Sequence, residues 1–161
     1  MSDPAAKFAT SRIAAGALFV DGDRLLLVRK TYGSGWGIPG GYVDAGESPA
    51  AACRRELKEE LGIEREAQRL LVMDWAPHAG AGDKILYIFD CGELDTDEHR
   101  IQLTSGELDR REWVPAGRLA GYVIPRLARR LASARQAHSA GPPLYLEHSQ
   151  PALAPGGLVA T

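Results

Sequence analysis

A glycine pair followed by an acidic loop and an amphipathic helix constrains this chain more than any other stretch. Ser48 and Pro49 predict where the helix begins, because serine accepts hydrogen bonds from free backbone N–H groups and proline suits the first helical position. Gly62 predicts where it ends. In between, apolar residues recur at intervals of three and four and must face a core: Ala50, Cys53, Leu57 and Leu61.

The same helix carries three glutamates that share one side. Glu56, Glu59 and Glu60 fall within a sector of roughly 100° beside the apolar stripe. Carboxylates this close raise one another's pKa unless a cation neutralises them, and Mg²⁺ prefers such oxygen ligands. The alternative is a solvated helix face whose acids pair with Arg54 or Lys58.

The spacing of this stretch resembles a known family signature. Gly41, Glu47 and the segment R-E-L-K-E-E-L-G-I at residues 55–63 resemble the Nudix box at every defined position. The flanks are also similar to MutT-like Nudix hydrolases, with W-x-x-P-G-G at residues 36–41 and a late acidic loop and strand at residues 107–115. The resemblance extends over residues 12–135.

The resemblance implies the α+β class and the Nudix fold, an α/β/α sandwich around a mixed β-sheet. Local patterns agree with that expectation. Asp21-Gly22-Asp23 predicts a hairpin turn between the first two strands, because this sequence tolerates positive φ. Apolar runs predict strands at residues 13–20, 24–29, 38–43, 70–75, 84–91 and 111–114, and a second helix at 124–137.

Three segments are expected along the chain. We expect residues 1–11 to form a flexible N-terminal lead and residues 12–138 to form a Nudix hydrolase domain. Residues 139–161 predict an irregular C-terminal tail, because prolines and glycines interrupt it, although Leu144, Tyr145 and Leu146 could dock on the domain.

Composition narrows the partners and the compartment. A net charge of -2 gives no general attraction to nucleic acid, so neither nucleic acid nor membrane is expected as a partner. Two cysteines do not make a disulfide framework in a chain of this kind. We therefore expect Cys53 and Cys91 to be small buried side chains of a protein in a reducing cytoplasm. The Arg-, Ala- and Gly-rich composition favours a bacterial source.

The family resemblance implies hydrolysis of a diphosphate linkage in a nucleoside di- or triphosphate derivative. Glu56, Glu59 and Glu60 match the metal-binding acids of the family, and the carbonyl oxygen of Gly40 adds a ligand in relatives. The implied cofactor is Mg²⁺, for which Mn²⁺ can substitute.

Two candidates remain for the general base and one residue for a structural brace. The family places the base either on the box helix or on a later loop, which here means Glu56 or Glu107. Arg55 is expected to pair with Glu47 and to hold the loop against the helix, again by family analogy.

Substrate contacts are expected near the end of the lead-in strand. Arg29 and Lys30 could bind substrate phosphate, although basic residues there are often only solvated. Trp36 could stack on a base or cover the edge of the core.

The sequence leaves the identity of the substrate open. Pro77 lies near the position at which the ADP-ribose subgroup carries a proline, so ADP-ribose or another nucleotide sugar is an alternative. A non-nucleotide diphosphate is a further alternative, and a non-catalytic Nudix-like sensor is a third. Homodimers are common among relatives, and this chain's oligomeric state is left open.

Overall fold

The computed structural model describes residues 7–33 and 35–153, without the side chain of Ala140. Within these ranges the chain forms ten strands: β1 (Ser11–Leu18), β2 (Val20–Asp21), β3 (Arg24–Lys30), β4 (Trp36–Gly37), β5 (Gly40–Tyr42), β6 (Arg69–Ala76), β7 (Asp83–Asp90), β8 (Leu108–Pro115), β9 (Leu144–Glu147) and β10 (Gln150–Pro151). Two α-helices accompany them, α1 (Pro49–Leu61) and α2 (Pro125–Ala140). Residues 1–6 of the predicted lead and 154–161 of the predicted tail lie outside the described residues.

Six strands form a mixed sheet in the order β10-β9-β6-β7-β1-β5. β1 pairs in parallel with β7, and β6 pairs in parallel with β9, whereas the remaining neighbours are antiparallel. The predicted mixed sheet is therefore confirmed.

A smaller sheet is built around β3, which pairs with β2, β4 and β8. Residues 25–28 of β3 are fully buried, so this strand runs through the core. The predicted turn at Asp21-Gly22-Asp23 joins β2 to β3, and Gly22 adopts the positive φ of 61° that such a turn requires. The expected strand over residues 13–20 is corrected, because it breaks after Leu18 and β1 leaves to pair with β7 in the other sheet.

The two α-helices lie against different cores. Helix α1 contributes Cys53 and Leu57 to a cluster that also holds Phe19 and Leu26. Helix α2 contributes buried residues, including Leu131, to a second cluster with β6, β7 and β9. Strands therefore lie between the helices, and the expected α+β sandwich is confirmed.

The ends of both helices follow their local sequence. The Ser48 side chain accepts a hydrogen bond from the Ala51 N–H at 3.1 Å, and Gly62 ends α1 in the left-handed conformation with φ of 70°. Pro125 occupies the first turn of α2. One detail of the expected apolar stripe differs, since Ala50 is exposed and Ala52 takes its place in the core.

The predicted irregular tail is corrected over residues 144–151. Strand β9 lies beside β6, and β10 folds back on β9, so this hairpin extends the larger sheet. His148 and Ser149 make the turn with positive φ of 54° and 62°. Docking of Leu144, Tyr145 and Leu146 was allowed for, and β9 contains all three. The hairpin itself was not expected, because its turn contains no glycine or asparagine and both strands are short.

The two cysteines lie in the core of the domain. Cys53 and Cys91 are free thiols, and both are buried as expected. Their sulfur atoms lie 3.7 Å apart. Their hydrogen bond and their burial raise the pKa of Cys91, which keeps this thiol protonated. Across residues 7–33 and 35–153, no helix is long and apolar enough to cross a membrane.

The docked hairpin can be tested by removing one core side chain. Leu146 is fully buried, so we expect Leu146→Ala to lower the free energy of unfolding by about 2–4 kcal/mol. Leu153 is 64% exposed, so the control Leu153→Ala should change it by less than about 0.5 kcal/mol. Urea denaturation followed by circular dichroism measures both. Equal effects would contradict docking of β9.

Candidate active site

Helix α1 delivers two of its glutamates to the buried side of the structure. Glu56 is 8% exposed and Glu60 is fully buried, although each carries a carboxylate. Each lies beside the apolar stripe because it stands three residues after a buried apolar side chain, Glu56 after Cys53 and Glu60 after Leu57. A buried carboxylate must be hydrogen-bonded or paired with a cation, so the partners of these two residues define the site.

The glycine pair gives the helix room to bring these acids close to β5. A Cβ atom at Gly41 would lie 2.3 Å from the Glu56 Oε1 atom, and one at Gly40 would lie 2.2 Å from the carbonyl oxygen of Ala15. Gly40 also has a φ of 143°, which other residues rarely adopt. Its N–H donates to the Glu60 Oε2 atom at 2.9 Å. Neither position tolerates a side chain without displacing the acids or β1.

Lys30 provides the cation that partners Glu60. Its ammonium lies 2.9 Å from the Glu60 Oε1 atom and also donates to the carbonyl oxygen of Gly40 at 3.2 Å. Lys30 stands at the end of β3, where the register with β8 shifts between Arg29 and Lys30. The ammonium therefore contacts the carboxylate and the carbonyl that the family resemblance assigns to a metal.

Arg55 holds the acidic loop and the helix together. It donates from Nε and Nη2 to the two carboxylate oxygens of Glu47, both at 2.9 Å. The same guanidinium donates to the carbonyl oxygen of Tyr42 at 3.0 Å, to Glu56 at 3.0 Å and to Glu59 at 3.2 Å. The expected pairing of Arg55 with Glu47 is thus present, and it raises the pKa of Arg55 and lowers that of Glu47.

A third carboxylate joins the two buried ones. Glu56, Glu60 and Glu107 each offer an oxygen atom within 4.8 Å of the others. Glu107 precedes β8, and its carbonyl oxygen accepts from the N–H of Thr31 at 2.9 Å, which fixes it beside the end of β3. The loop acid chosen from the sequence therefore meets the helix acids in space.

The electrostatics of this group favour a bound cation. Burial raises the pKa of Glu56 and of Glu60, and the charge of each neighbouring acid adds to the effect. Lys30 and the Gly40 N–H oppose the increase at Glu60, as Arg55 does at Glu56. Oxygen ligands that share one end of a cleft and already attract an ammonium ion fit a divalent metal ion.

Glu59 occupies a different place from the other two helix acids. Its side chain is 52% exposed and its recorded partner is Arg55, and the three-acid group found among the described residues does not include it. Of the predicted metal set of Gly40, Glu56, Glu59 and Glu60, the structure therefore brings Gly40, Glu56 and Glu60 close together and leaves Glu59 apart. The metal role of Glu59 stays a prediction.

A cleft of about 540 Å³ extends from the acids across the larger sheet. Lys30, Glu56 and Glu107 line one end of it. Its remaining surface is mostly apolar, and side chains of α2 reach it; it includes Ala14, Gly16, Tyr32, Trp36, Ile38, Tyr42, Leu86, Ile88, Leu127 and Arg130.

The expected substrate contacts divide into two kinds. Lys30 and Trp36 line the cleft, and Trp36 also packs edge-on against Tyr122 with ring centroids 5.4 Å apart. Arg29 is not among the lining residues. Its guanidinium donates to both carboxylate oxygens of Asp109 at 2.8 Å, so its phosphate role stays a prediction.

One lining residue escaped the sequence analysis. Arg130 lies on α2 and contacts Asp74 in the middle of β6, where a charge interrupts an apolar run. That interruption, together with the placement of Arg130 three residues after Leu127, was the available signal.

The comparison with protein families shows which family this chain belongs to. The sequence model of the NUDIX domain matches residues 10–136, which is most of the chain. The chain belongs to the Nudix family. The MutT protein of Methanosarcina mazei has a similar structure, with a TM-score of 0.66 at 24% identity, over 81% of this chain and 97% of that one. The expected Nudix fold and the MutT-like resemblance are confirmed.

Curated relatives support the same membership of the Nudix family. A Haemophilus influenzae protein named 8-oxo-dGTP diphosphatase is 39% identical over 56 residues, which is 32% of this chain and 41% of that protein. The ADP-ribose pyrophosphatase of Mycobacterium tuberculosis is 30% identical over 105 residues, which is 60% of this chain and 47% of that protein. The chain thus spans less than half the length of either relative.

The Lys30 ion pair should stabilise the Nudix domain in the absence of metal. Lys30→Met leaves the carboxylate of Glu60 buried without its cation, so we expect a loss of about 1–3 kcal/mol in unfolding free energy in chelator. The control Lys58→Met breaks an exposed pair with Glu64 and should have an effect below about 0.5 kcal/mol. Equal losses would contradict a buried pair.

The same variant should respond to pH in a defined direction. Burial raises the pKa of Glu60 above 4.5, and removing Lys30 should raise it further. A group with a raised folded-state pKa stabilises the fold when protonated and loses that contribution as the pH rises. The deficit of Lys30→Met should therefore be small below pH 4.5 and grow as the pH rises past the folded-state pKa. Thermal unfolding at several pH values measures this.

Proposed function

We propose that this Nudix protein hydrolyses a diphosphate linkage in a nucleoside di- or triphosphate derivative with Mg²⁺. The observation that carries the proposal is the meeting of Glu56, Glu60 and Glu107 at one end of an otherwise largely apolar cleft. Charged groups at one end suit a diphosphate, and an apolar body suits the rest of a nucleotide. Relatives named for ADP-ribose and 8-oxo-dGTP hydrolysis support the reaction class.

The metal would be held by carboxylates of the box helix and its neighbours. We assign the metal to Glu56 and Glu60, the carbonyl oxygen of Gly40 and the predicted ligand Glu59, with the carboxylate of Glu107 beside them. A bound Mg²⁺, or Mn²⁺ in its place, neutralises phosphate oxygens and makes water a stronger nucleophile. The residues of the chain supply the position and the charges that this chemistry needs.

Two basic residues complete the charged end in this proposal. Arg55 is a positioning residue, because it connects Glu47, Glu56 and Glu59 and keeps the loop against α1. Lys30 lines the cleft beside the acids, so its ammonium can bind a phosphate oxygen of the substrate.

The two candidates for general base differ in their surroundings. Glu56 already accepts a hydrogen bond from Arg55, which stabilises its charged form and occupies one oxygen. The side chain of Glu107 is exposed and makes no hydrogen bond to the described residues. A carboxylate that is free to accept a proton from water suits the base, so we favour Glu107.

The aromatic side chains along the cleft also suit a second substrate class, the nucleotide sugars. The cleft is bordered by Tyr32, Trp36 and Tyr42, and aromatic side chains can also cover a sugar or a second base. ADP-ribose or another nucleotide sugar is therefore the alternative substrate. A non-nucleotide diphosphate and a non-catalytic sensor are the outcomes left if nucleotides are not cleaved. We further infer a bacterial, cytoplasmic enzyme that binds no nucleic acid and can form a homodimer.

The reaction is tested by product release from a panel of nucleoside triphosphates, nucleotide sugars, ADP-ribose and dinucleotides. We expect turnover of one class with Mg²⁺ and none with chelator. Glu59→Gln and Glu60→Gln should each lower kcat by roughly a hundredfold or more. Folded protein that cleaves none of these compounds would refute the nucleotide assignment, and turnover in chelator would refute the metal.

The assignment of the base is tested by two matched variants. We expect Glu107→Gln to lower kcat by about 10²–10⁴-fold and to remove the acidic limb of the pH–rate profile. Glu56→Gln should instead weaken metal affinity as well as kcat. The exposed acid Glu93 provides the control, and Glu93→Gln should retain full activity. An unchanged acidic limb in Glu107→Gln would assign the base to Glu56.

A further inference from the structure

The end of the cleft away from the acids contains a buried ion pair. The Nε atom of Arg130 donates to a carboxylate oxygen of Asp74 at 2.6 Å. The side chain of Asp74 is fully buried and that of Arg130 is only 11% exposed. Arg130 lines the cleft, whereas Asp74 is not among the lining residues. The guanidinium is therefore the polar group that this end presents.

The position of Arg130 is fixed by the C-terminal hairpin. The second carboxylate oxygen of Asp74 accepts from the N–H of Ser149 at 3.0 Å, in the turn between β9 and β10. The Ser149 hydroxyl also accepts from Arg129 at 3.2 Å. Because Asp74 is fully buried and does not line the cleft, its carboxylate holds Arg130 and the hairpin turn rather than a ligand.

The terminal nitrogens of Arg130 remain available to a ligand. Its Nε is the one atom of this guanidinium with a recorded hydrogen bond within residues 7–33 and 35–153. Neither terminal nitrogen is among the fully buried, unpartnered atoms found there, so both retain access to solvent. This end of the cleft therefore offers N–H donors, and its charge is already balanced by Asp74.

The sheet sets the distance between this pair and the acids. Asp74 pairs with Leu86, Leu86 with Ala14, and Ala14 with Tyr42, so one row crosses β6, β7, β1 and β5. Three strand spacings of ~4.8 Å place Asp74 about 14 Å from β5. The intervening floor is apolar, and it includes the small residues Ala14 and Gly16 beside Leu86 and Ile88. A nucleotide lying along the floor would extend from the acids to Arg130.

We propose that Arg130 binds the edge of a 6-oxopurine base and thereby determines the specificity of the hydrolase. This inference rests on the proposed function, since it assumes a nucleotide in the cleft. A 6-oxopurine presents adjacent acceptors at O6 and N7, which an arginine fork matches. Adenine keeps the N7 acceptor but has an amino group in place of O6, so one of the two N–H donors of Arg130 would face another donor unpaired.

A phosphate fits this end less well than a base does. Asp74 neutralises Arg130, so an added phosphate would introduce an uncompensated negative charge beside apolar residues such as Leu86 and Leu127. The acids and Lys30 already form a site for phosphate and metal at the opposite end. A neutral, planar ligand with acceptors matches both the donors and the apolar floor.

The experiment compares ligands that differ only at the purine 6-position. With Mg²⁺, we expect kcat/KM of the wild type to be about tenfold higher for ITP than for ATP. Arg130→Lys keeps a cation for Asp74 but loses the fork, so the ratio should fall below about threefold. The adjacent control Arg129→Lys should retain the wild-type ratio, because Arg129 does not line the cleft.

A second variant and a binding measurement keep the test independent of folding and of turnover. Asp74→Asn/Arg130→Met removes both buried charges together and leaves an amide oxygen for the Ser149 N–H, so it should also lose the preference. NMR titration of each protein with inosine, adenosine and ribose 5-phosphate in chelator measures base and anion binding without hydrolysis. Inosine should bind more tightly than adenosine, and only its binding should weaken in the Arg130 variants.

The outcomes separate this inference from the proposed function. Hydrolysis of no diphosphate would refute the function, and the nucleoside titrations would then decide the role of Arg130 alone. Equal treatment of ITP and ATP, or of inosine and adenosine, by the wild type would overturn the inference. A preference unchanged in both Arg130 variants would also overturn it. Loss of ribose 5-phosphate binding equal to that of inosine would reassign Arg130 to an anion site.

Discussion

The buried carboxylate of Glu60 is the interaction on which the arrangement of this domain depends. It accepts from the backbone of Gly40 in β5 and from the ammonium of Lys30 at the end of β3, so one side chain connects α1 to both sheets. A carboxylate without these partners would be costly to bury. The glycine pair, the register shift in β3 and the packing of α1 each help to bring these partners within reach.

Much of the charged end could be predicted because its geometry is local. Ser48, Pro49 and Gly62 specify a helix of defined length, and the i, i+4 step fixes Glu56 and Glu60 on one side of it. The pairing of Arg55 with Glu47 followed from the family resemblance, and the structure contains it. The metal role of Glu59 stays a prediction, because its side chain pairs with Arg55 and local rules do not specify how Arg55 divides its donors among several acids.

The opposite end of the cleft could not be predicted, because it is assembled from distant segments. Asp74, Arg130 and Ser149 come from a strand, a helix and a turn whose proximity is decided by sheet order. The charge of Asp74 in an apolar strand and the spacing of Arg130 from Leu127 are weak signals, and they do not show that these two residues meet. The β9–β10 hairpin was missed for the same reason, since short strands are stabilised by their neighbours rather than by their own propensity.

The hairpin also has a consequence for synthesis on the ribosome. β9 covers the edge of β6, and the turn after it supplies the backbone partner of Asp74. Until Ser149 has emerged, a nascent chain exposes an unpaired strand edge and leaves a carboxylate without its full set of partners inside the sheet. The larger sheet can therefore be completed only after β9 and β10 have been translated, although the box helix and its glycine pair emerge much earlier.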